Sequence, residues 1–346
     1  MTTSKTKLAV VGAGLIGRRH AELIKRSDCA ELVAIVDPDE AATAYARSMN
    51  VVCFSALDQM LSAGLSEGIL LATPNHLHLE QGVACVEAGI PLLIEKPMVT
   101  DVAGGRQLAD ACRAKSVPLL VGHHRRHNSL IQRAKEEIVN GTLGQLVSFH
   151  ASFWLHKPDE YFDVDWRKKP GAGPVFINLI HDIDLMLHLC GRAESVFAYE
   201  ANVARGFDVE DSTVVALKME NGSIGTITIS DTIPSPWSWE LTAKENAHYP
   251  PTGEACYKIG GTNGSLELPG LKLWHYEDKK SWWEPLSTKQ LKHEFNDPLV
   301  MQIEHFTDVI KGQAEPLVTV NDGLEALKVL EAIKASAISG ESVRIE

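Results

Sequence analysis

The chain has 346 residues, more than the roughly 250 to 300 at which single hydrophobic cores stop growing, so two domains are expected. Hydrophobic residues make up 45% of the chain and charged residues 23%, a balance typical of globular proteins and not of disordered ones. The formal net charge of −12 argues against a nucleic-acid partner, because affinity for a phosphate backbone depends on clustered Lys and Arg.

Cysteine usage and hydropathy bear on the compartment. The six cysteines form no CxxC pair, which predicts neither a zinc knuckle nor a disulfide framework and favours a reducing environment. The first apolar run, 8–11, breaks at Gly12, too early for a signal peptide. No stretch reaches the about 18 apolar residues of a membrane span. We therefore expect a soluble, cytoplasmic protein without a membrane partner.

The first third of the chain alternates short apolar runs with helix-period segments, the pattern of βαβ units and a parallel sheet. The predicted strands are 8–11, 32–36, 68–72, 92–95 and 119–121, and the predicted helices are 17–26, 39–49, 56–63, 78–88 and 101–115. This order predicts a doubly wound parallel sheet, a Rossmann fold, over residues 1–122.

The pattern changes after Gly122. Alternating apolar runs at 146–153, 196–203, 212–219 and 223–231 predict a large, mainly antiparallel open sheet, and helices are predicted at 130–140, 175–189, 299–311 and 323–336. Residues 234–283 show no clear period. We expect residues 123–346 to form an α+β domain that binds substrate and forms the oligomer.

A glycine fingerprint follows the first predicted strand and opens a helix, in the sequence Gly12-Ala13-Gly14-Leu15-Ile16-Gly17. Gly12 permits the tight turn, Gly14 lets backbone N–H groups approach a pyrophosphate, and Gly17 lets helix and strand pack closely. The next strand ends at Asp37, which can bind both ribose hydroxyls and would repel a 2′-phosphate, so the predicted cofactor is NAD. The alternative is a glycine turn without function, with Asp37 capping a helix.

Polar residues also follow the predicted strand 68–72. Parallel strands end at the sheet edge where ligands bind, so Thr73, Pro74, Asn75 and His78 are expected near the cofactor. The alternative is an ordinary loop in which Asn75 caps a helix. No acidic or thiol partner accompanies His76 and His78, so no metal site is predicted.

With Glu95-Lys96-Pro97 at the next strand end, the chain resembles the Gfo/Idh/MocA family of sugar and inositol dehydrogenases over nearly its whole length. Other carriers of the resemblance are the glycine fingerprint, Thr73-Pro74-Asn75 with His78, Asp165-Trp166-Arg167, Gly171-Ala172-Gly173 and His181-Asp182-Ile183-Asp184. The resemblance implies that Glu95 and Lys96 lie at the nicotinamide and that Lys96, before a cis Pro97, hydrogen-bonds the reacting oxygen. The alternative for Lys96 is a surface salt bridge with Glu95.

His181 matches the family's catalytic histidine, and Asn178 shares its helical face. The alternative is a buried, satisfied histidine. The chain departs from inositol-dehydrogenase relatives at Ile177, where those usually carry an aspartate. The amide of Asn178 can orient a substrate hydroxyl but cannot take its proton, so Lys96 and His181 would share the acid/base work.

The resemblance further implies that Arg126, His127, Trp166 and Arg167 face a small hydroxylated or carbonyl substrate, and that the C-terminal sheet forms a homodimer or homotetramer. The leading hypothesis is an NAD-dependent dehydrogenase that oxidises a secondary hydroxyl of a sugar, cyclic polyol or related ring, with Lys96 and His181 as acid/base pair. The alternatives are a cis-dihydrodiol dehydrogenase of an aromatic acid and a non-catalytic NAD-bound sensor.

Overall fold

The computed structural model describes residues 4–346, which form two compact units. The first comprises residues 4–127 and Asn296–Leu327, and the second comprises Asn128–Phe295 and Lys328–Glu346. The boundary predicted at residue 122 lies near the first division. No sequence pattern predicted that residues 296–327 belong to the first unit.

The first unit contains a six-stranded parallel sheet in the order β3-β2-β1-β4-β5-β6, which confirms the predicted Rossmann fold. Its strands are β1 (Thr6–Val11), β2 (Ala30–Val36), β3 (Val52–Phe54), β4 (Gly68–Leu71), β5 (Leu92–Ile94) and β6 (Leu119–Val121). The helices between them are α1 (Leu15–Arg26), α2 (Glu40–Ser48), α3 (Leu57–Ala63), α4 (His78–Glu87) and α5 (Val102–Lys115).

Because both faces of this sheet are buried, its strands appear in the sequence as continuous apolar runs. Alternate residues of β1 enter two separate cores, Leu8 and Val10 on one face and Ala9 and Val11 on the other. Helices cover both faces, as parallel sheets require. The strand order reverses between β1 and β4, and in such sheets the ligand crevice lies at the carboxyl ends of the strands beside this reversal.

The strand β3 was absent from the sequence prediction. It has three residues, none of them fully buried, so it offers too short a run for periodicity to register. Its place at the edge of the sheet comes from pairing with β2, a tertiary contact.

The second unit contains a nine-stranded sheet in the order β14-β13-β12-β11-β7-β10-β9-β8-β15. Its strands are β7 (Leu146–Trp154), β8 (Ala193–Ala201), β9 (Ser212–Met219), β10 (Ile224–Ser230), β11 (Tyr257–Gly261), β12 (Gly264–Leu268), β13 (Lys272–His275), β14 (Ser287–Gln290) and β15 (Val343–Arg344). All neighbouring pairs are antiparallel except β7 with β10, which confirms the predicted, mainly antiparallel sheet.

One face of this sheet is apolar and the other is exposed. In β9, Val215 and Leu217 are buried while Val214, Ala216 and Lys218 are exposed, which is the alternation seen in the sequence. The helices of this unit are α6 (Ser129–Val139), α7 (Ile180–Cys190) and the short α8 (Trp239–Thr242). The strands β11 to β13 fall in the region without a clear period, because each has only four or five residues.

Two further helices, α9 (Pro298–Ile310) and α10 (Val320–Ser339), follow β14. Asp297 caps α9 by accepting a hydrogen bond from the backbone N–H of Leu299, and Phe306 is buried in the core that contains Leu8. Gly68 makes room for this contact, since a Cβ there would lie 3.1 Å from the Phe306 ring. The helix α9 therefore completes the core of the first unit. Within residues 4–346, no helix is both long enough and apolar enough to cross a membrane.

We predict that Phe306→Ala destabilises the first unit by about 3 to 5 kcal/mol, because it removes a fully buried ring and leaves a cavity. Urea unfolding and amide hydrogen exchange in β1 and β4 measure this effect. The matched control is Phe295→Ala, at a ring that is 65% exposed, where a change within about 0.5 kcal/mol is expected. Equal losses in the two variants would contradict the packing role of Phe306.

Candidate active site

The turn between β1 and α1 has the geometry of a pyrophosphate loop. Gly12 has φ +94°, and a Cβ there would lie 2.6 Å from the carbonyl oxygen of Ala72. A Cβ at Gly17 would collide with the carbonyl oxygen of Gly12. Both glycines are therefore required by backbone packing, independently of any ligand.

Gly14 differs from the other two glycines. A Cβ there would have no atom of the described chain within 4 Å, and the following residue, Leu15, is 95% exposed. Gly14 is the N-cap of α1 and supplies no side-chain hydrogen bond, so the first N–H groups of the helix receive no acceptor from the cap side chain. A diphosphate fits this arrangement, because it can accept hydrogen bonds from these donors at the positive end of the helix.

Asp37 lies beside this loop, half-buried at the end of β2. One carboxylate oxygen accepts a hydrogen bond from the backbone N–H of Ala13 at 2.8 Å, and the other accepts from the backbone N–H of Asp39 at 2.9 Å. The cap of α2 is Asp39, whose side chain accepts from Ala41. The carboxylate of Asp37 is therefore fixed against the glycine loop and does not cap the helix.

The segment after β4 is linked to the segment after β5 through His78. Its ring nitrogens lie 2.8 Å from the carbonyl oxygen of Thr73 and 3.0 Å from that of Pro97. The ring is fully buried, and burial lowers the pKa of His78 despite these contacts. His78 thus bridges two loops, whereas Pro74 and Asn75 are exposed, with Pro74 the N-cap of the short 3₁₀ turn Asn75–Leu77.

Glu95 is buried, which contradicts the alternative interpretation of a surface salt bridge between Lys96 and Glu95. One carboxylate oxygen lies 2.7 Å from Nε2 of His20 in α1, and the other accepts from the backbone N–H of Lys96 at 3.3 Å. Burial would raise the pKa of Glu95, but the hydrogen bond and charge of His20, with the charges of Lys96 and His124, lower it overall. Gly122 makes room for the carboxylate, since a Cβ there would lie 2.9 Å from its oxygen.

These contacts hold the backbone of Lys96 in place at the carboxyl end of β5. The side chain of Lys96 is half-buried, and its bond to Pro97 is cis, as the resemblance implied. His20 was not among the predicted site residues. Its partner Glu95 is 75 positions away, so no local pattern connects the two.

Arg126 and His127 are both buried within the first unit. Arg126 donates to Asp322 at 3.0 Å, and the ring centroid of His127 lies 5.2 Å from that of His305. Burial, together with the positive charge of the neighbouring histidines and Arg126, lowers the pKa of His127 to about 3. The contacts shown for these two residues are with α9 and α10, and their predicted role toward substrate stays a prediction.

Trp166 and Arg167 lie together in the second unit. Trp166 is 55% exposed. The guanidinium carbon of Arg167 lies 4.2 Å from the ring centroid of Tyr161 and 5.7 Å from that of Trp166, and Nη1 donates to the carbonyl oxygen of Tyr161 at 2.7 Å. The aromatic rings and the carbonyl group therefore fix this cation in one orientation.

The predicted helix 175–189 is not uniform. Val175–Leu179 is π-helical and continues directly into α7, and such irregular turns are frequent at functional sites. Asn178 lies in the π-helical turn, and its Oδ1 is buried without a hydrogen bond from any residue between 4 and 346. His181 lies in the first turn of α7 and is buried, and the neighbouring Asp182 accepts a hydrogen bond from the hydroxyl of Tyr257. An acceptor at Asn178 and an imidazole at His181 thus lie one helical turn apart.

No group of three or more His, Cys, Asp or Glu side chains in the described part of the chain is arranged to hold a metal ion. The glycine loop, Asp37 and Lys96 are the residues that could hold and flank a dinucleotide.

Comparisons with known families agree with this geometry. Residues 6–123 match the model of the GFO_IDH_MocA oxidoreductase family, described as an NAD-binding Rossmann fold. Residues 131–267 match the model of the GFO/IDH/MocA C-terminal domain.

Similar proteins include dehydrogenases that act on different compounds. The chain is 26% identical to the rhizopine catabolism protein MocA of Rhizobium meliloti, over 95% of this chain and 94% of the relative. It is 25% identical to a D-apiose dehydrogenase of Paraburkholderia graminis, over 100% of this chain and 91% of the relative. A crystal structure of the WlbA dehydrogenase from Bordetella pertussis, in complex with NADH and UDP-GlcNAcA, aligns with a TM-score of 0.79 at 28% identity and covers 99% of both chains.

We predict that Gly14→Ala and Gly17→Ala fail in different ways. At position 14 the added methyl group meets no protein atom but enters the space for the diphosphate, so NAD binding weakens by about 1 to 3 kcal/mol at an unchanged melting temperature. At position 17 it meets a backbone oxygen, so the fold itself is destabilised by about that amount or more. Calorimetric titration with NAD and thermal melts measure both effects, and wild-type NAD affinity in Gly14→Ala would contradict the assignment.

Proposed function

The chain belongs to the Gfo/Idh/MocA oxidoreductase family, and from this premise we propose that it is an NAD-dependent dehydrogenase that oxidises a secondary hydroxyl of a sugar, cyclic polyol or related ring substrate. The observation that carries the proposal is the placement of Lys96. Its backbone is held by the buried Glu95 at the carboxyl end of β5, the edge at which dinucleotide folds bind their ligands.

Lys96 and His181 form the proposed acid/base pair. The ammonium group of Lys96 has only donors, so it hydrogen-bonds the reacting oxygen and stabilises negative charge as the hydroxyl loses its proton. The imidazole of His181 accepts that proton. The glycine loop and Asp37 would hold NAD, which would supply the acceptor for the hydride on the carbon that bears this hydroxyl, leaving a carbonyl product.

Asn178 orients the substrate in this proposal. Its buried Oδ1 can accept a hydrogen bond from a substrate hydroxyl, but an amide cannot take up a proton. Ile177 stands where inositol-dehydrogenase relatives usually carry an aspartate, so Lys96 and His181 share the acid/base work in this proposal. Trp166 and the fixed guanidinium of Arg167 offer an apolar surface and a donor for a polyol oxygen or a carboxylate.

The cofactor preference follows from Asp37. Its carboxylate lies against the glycine loop, where it can accept hydrogen bonds from ribose hydroxyls. A 2′-phosphate at that place would meet a like charge, so NAD is the preferred cofactor over NADP.

We also propose that the second unit forms a homodimer or homotetramer through its sheet. Support comes from the exposed face, which carries Tyr199, Val214 and Ile224, because a half-apolar open sheet face tends to associate. A cytoplasmic location is proposed from the cysteines, all six of which are free thiols.

We predict that Lys96→Ala lowers turnover by about 10²- to 10⁴-fold while NAD still binds, because the substitution removes the donor to the reacting oxygen and leaves the glycine loop intact. NADH formation is measured on a panel of aldoses, inositols and aromatic cis-dihydrodiols, and NAD affinity by calorimetry. The control is Lys115→Ala, an exposed lysine of α5 paired with Glu87, which should keep wild-type turnover. Near-normal turnover in Lys96→Ala, or NAD binding without turnover of any panel member by the wild type, would contradict the proposal.

Cofactor preference is tested with Asp37→Asn. The substitution removes the charge that repels a 2′-phosphate, so the ratio of NAD to NADP affinity should fall by about tenfold or more. The control is Asp39→Asn, which removes a charge two positions away and keeps an acceptor for the cap of α2. An unchanged ratio of NAD to NADP affinity in Asp37→Asn would mean that this carboxylate only supports the glycine loop.

A further inference from the structure

We propose that Glu210 is a positioning residue for His181, because its carboxylate fixes the start of the helical segment that carries Asn178 and His181. The inference rests on the role proposed for His181. Glu210 and Gly173 both lie in the second unit, and neither has another part in the proposed reaction.

Glu210 lies in the loop between β8 and β9 and is buried. One carboxylate oxygen accepts a hydrogen bond from the backbone N–H of Val175 at 3.2 Å. Val175 is the first residue of the π-helical turn, and its N–H is among those that a helix start leaves without an internal partner. A charged acceptor forms a stronger hydrogen bond than a neutral one, so Glu210 ties this segment to the loop before β9.

Gly173 makes this contact possible. A Cβ at that position would coincide with the carboxylate of Glu210, so any side chain there would displace the carboxylate. The carbonyl oxygen of Gly173 also accepts a hydrogen bond from the N–H of Ile177 at 3.2 Å. The last glycine of the Gly171-Ala172-Gly173 turn therefore serves helix placement.

Lys334 in α10 fixes the other side of the carboxylate. Its ammonium group lies 3.0 Å from an oxygen of Glu210 and 2.7 Å from each oxygen of Glu200. Burial would lower the pKa of Lys334, but hydrogen bonds and charges from these two glutamates raise it, so the lysine stays charged. Glu210 is thus held between Lys334 and the start of the helical segment. The contacts shown for Glu200 are with Lys334 and not with this segment.

Accurate placement matters more for this segment than for an ordinary helix. A π-helical turn is rarer and less regular than α-helix, so neighbouring groups must support it. Asn178 and His181 follow Val175 within two turns, and a shift of its start moves both. Displacement of a catalytic group by about 1 Å can lower turnover by about 100-fold.

The test compares Glu210→Ala, Glu210→Gln and Glu200→Gln. We expect kcat to fall about 10- to 100-fold in Glu210→Ala, with the Kd for NAD unchanged. Glu210→Gln keeps an oxygen for the N–H of Val175, so it should recover most of the loss. Glu200→Gln weakens the same lysine pair but not the helix contact, so its kcat should stay at the wild-type value.

Amide hydrogen exchange over residues 175–190 provides a readout that does not depend on turnover. Exchange should accelerate in Glu210→Ala and stay unchanged in Glu200→Gln. Wild-type kcat and exchange in Glu210→Ala would overturn the proposal, as would equal losses of kcat in Glu210→Ala and Glu200→Gln that follow their melting temperatures. A wild-type protein without turnover on any substrate would instead overturn the proposed function, while the exchange experiment would still test the anchor.

Discussion

Backbone packing at the turn after β1 is the constraint on which the rest of the first unit depends. Gly12 lies against the backbone at Ala72, and Gly17 lies against the carbonyl of Gly12, so the first strand, the first helix and the end of β4 approach one another without side chains between them. The N-terminus of α1, which has no side-chain cap, lies at the reversal of strand order. The diphosphate site is therefore a consequence of how closely these elements pack.

Buried polar contacts then fix the loops around that turn. Asp37 accepts from the loop itself, His78 bridges the segments after β4 and β5, and Glu95 with His20 holds the backbone of Lys96. Polar groups removed from water are costly unless they are paired, so each contact stabilises one arrangement of its loop. In both units a buried carboxylate holds backbone next to predicted site residues: Glu95, which His20 contacts, holds Lys96, and Glu210 holds Val175.

In the second unit, too, polar contacts fix an irregular segment of the backbone. A π-helical turn precedes α7, and a carboxylate, a glycine and a lysine from three separate segments meet at its start. The sheet supplies the rigid frame from which the loop of Glu210 projects. Burial of the charged Glu210 carboxylate costs desolvation free energy. Its hydrogen bonds with Val175 and Lys334 offset that cost.

The sequence alone determined the elements whose signal is local. Period and turn chemistry identified five of the six Rossmann strands and the glycine loop, because apolar runs and glycine positions are read within a few residues. Only the tertiary structure decided the edge strand β3, the return of residues 296–327 to the first core, and the partners of Arg126 and His127. It also decided the pairing of His20 with Glu95 and of Glu210 with Val175. These contacts join residues far apart in the chain, and such pairings depend on packing that no local pattern records.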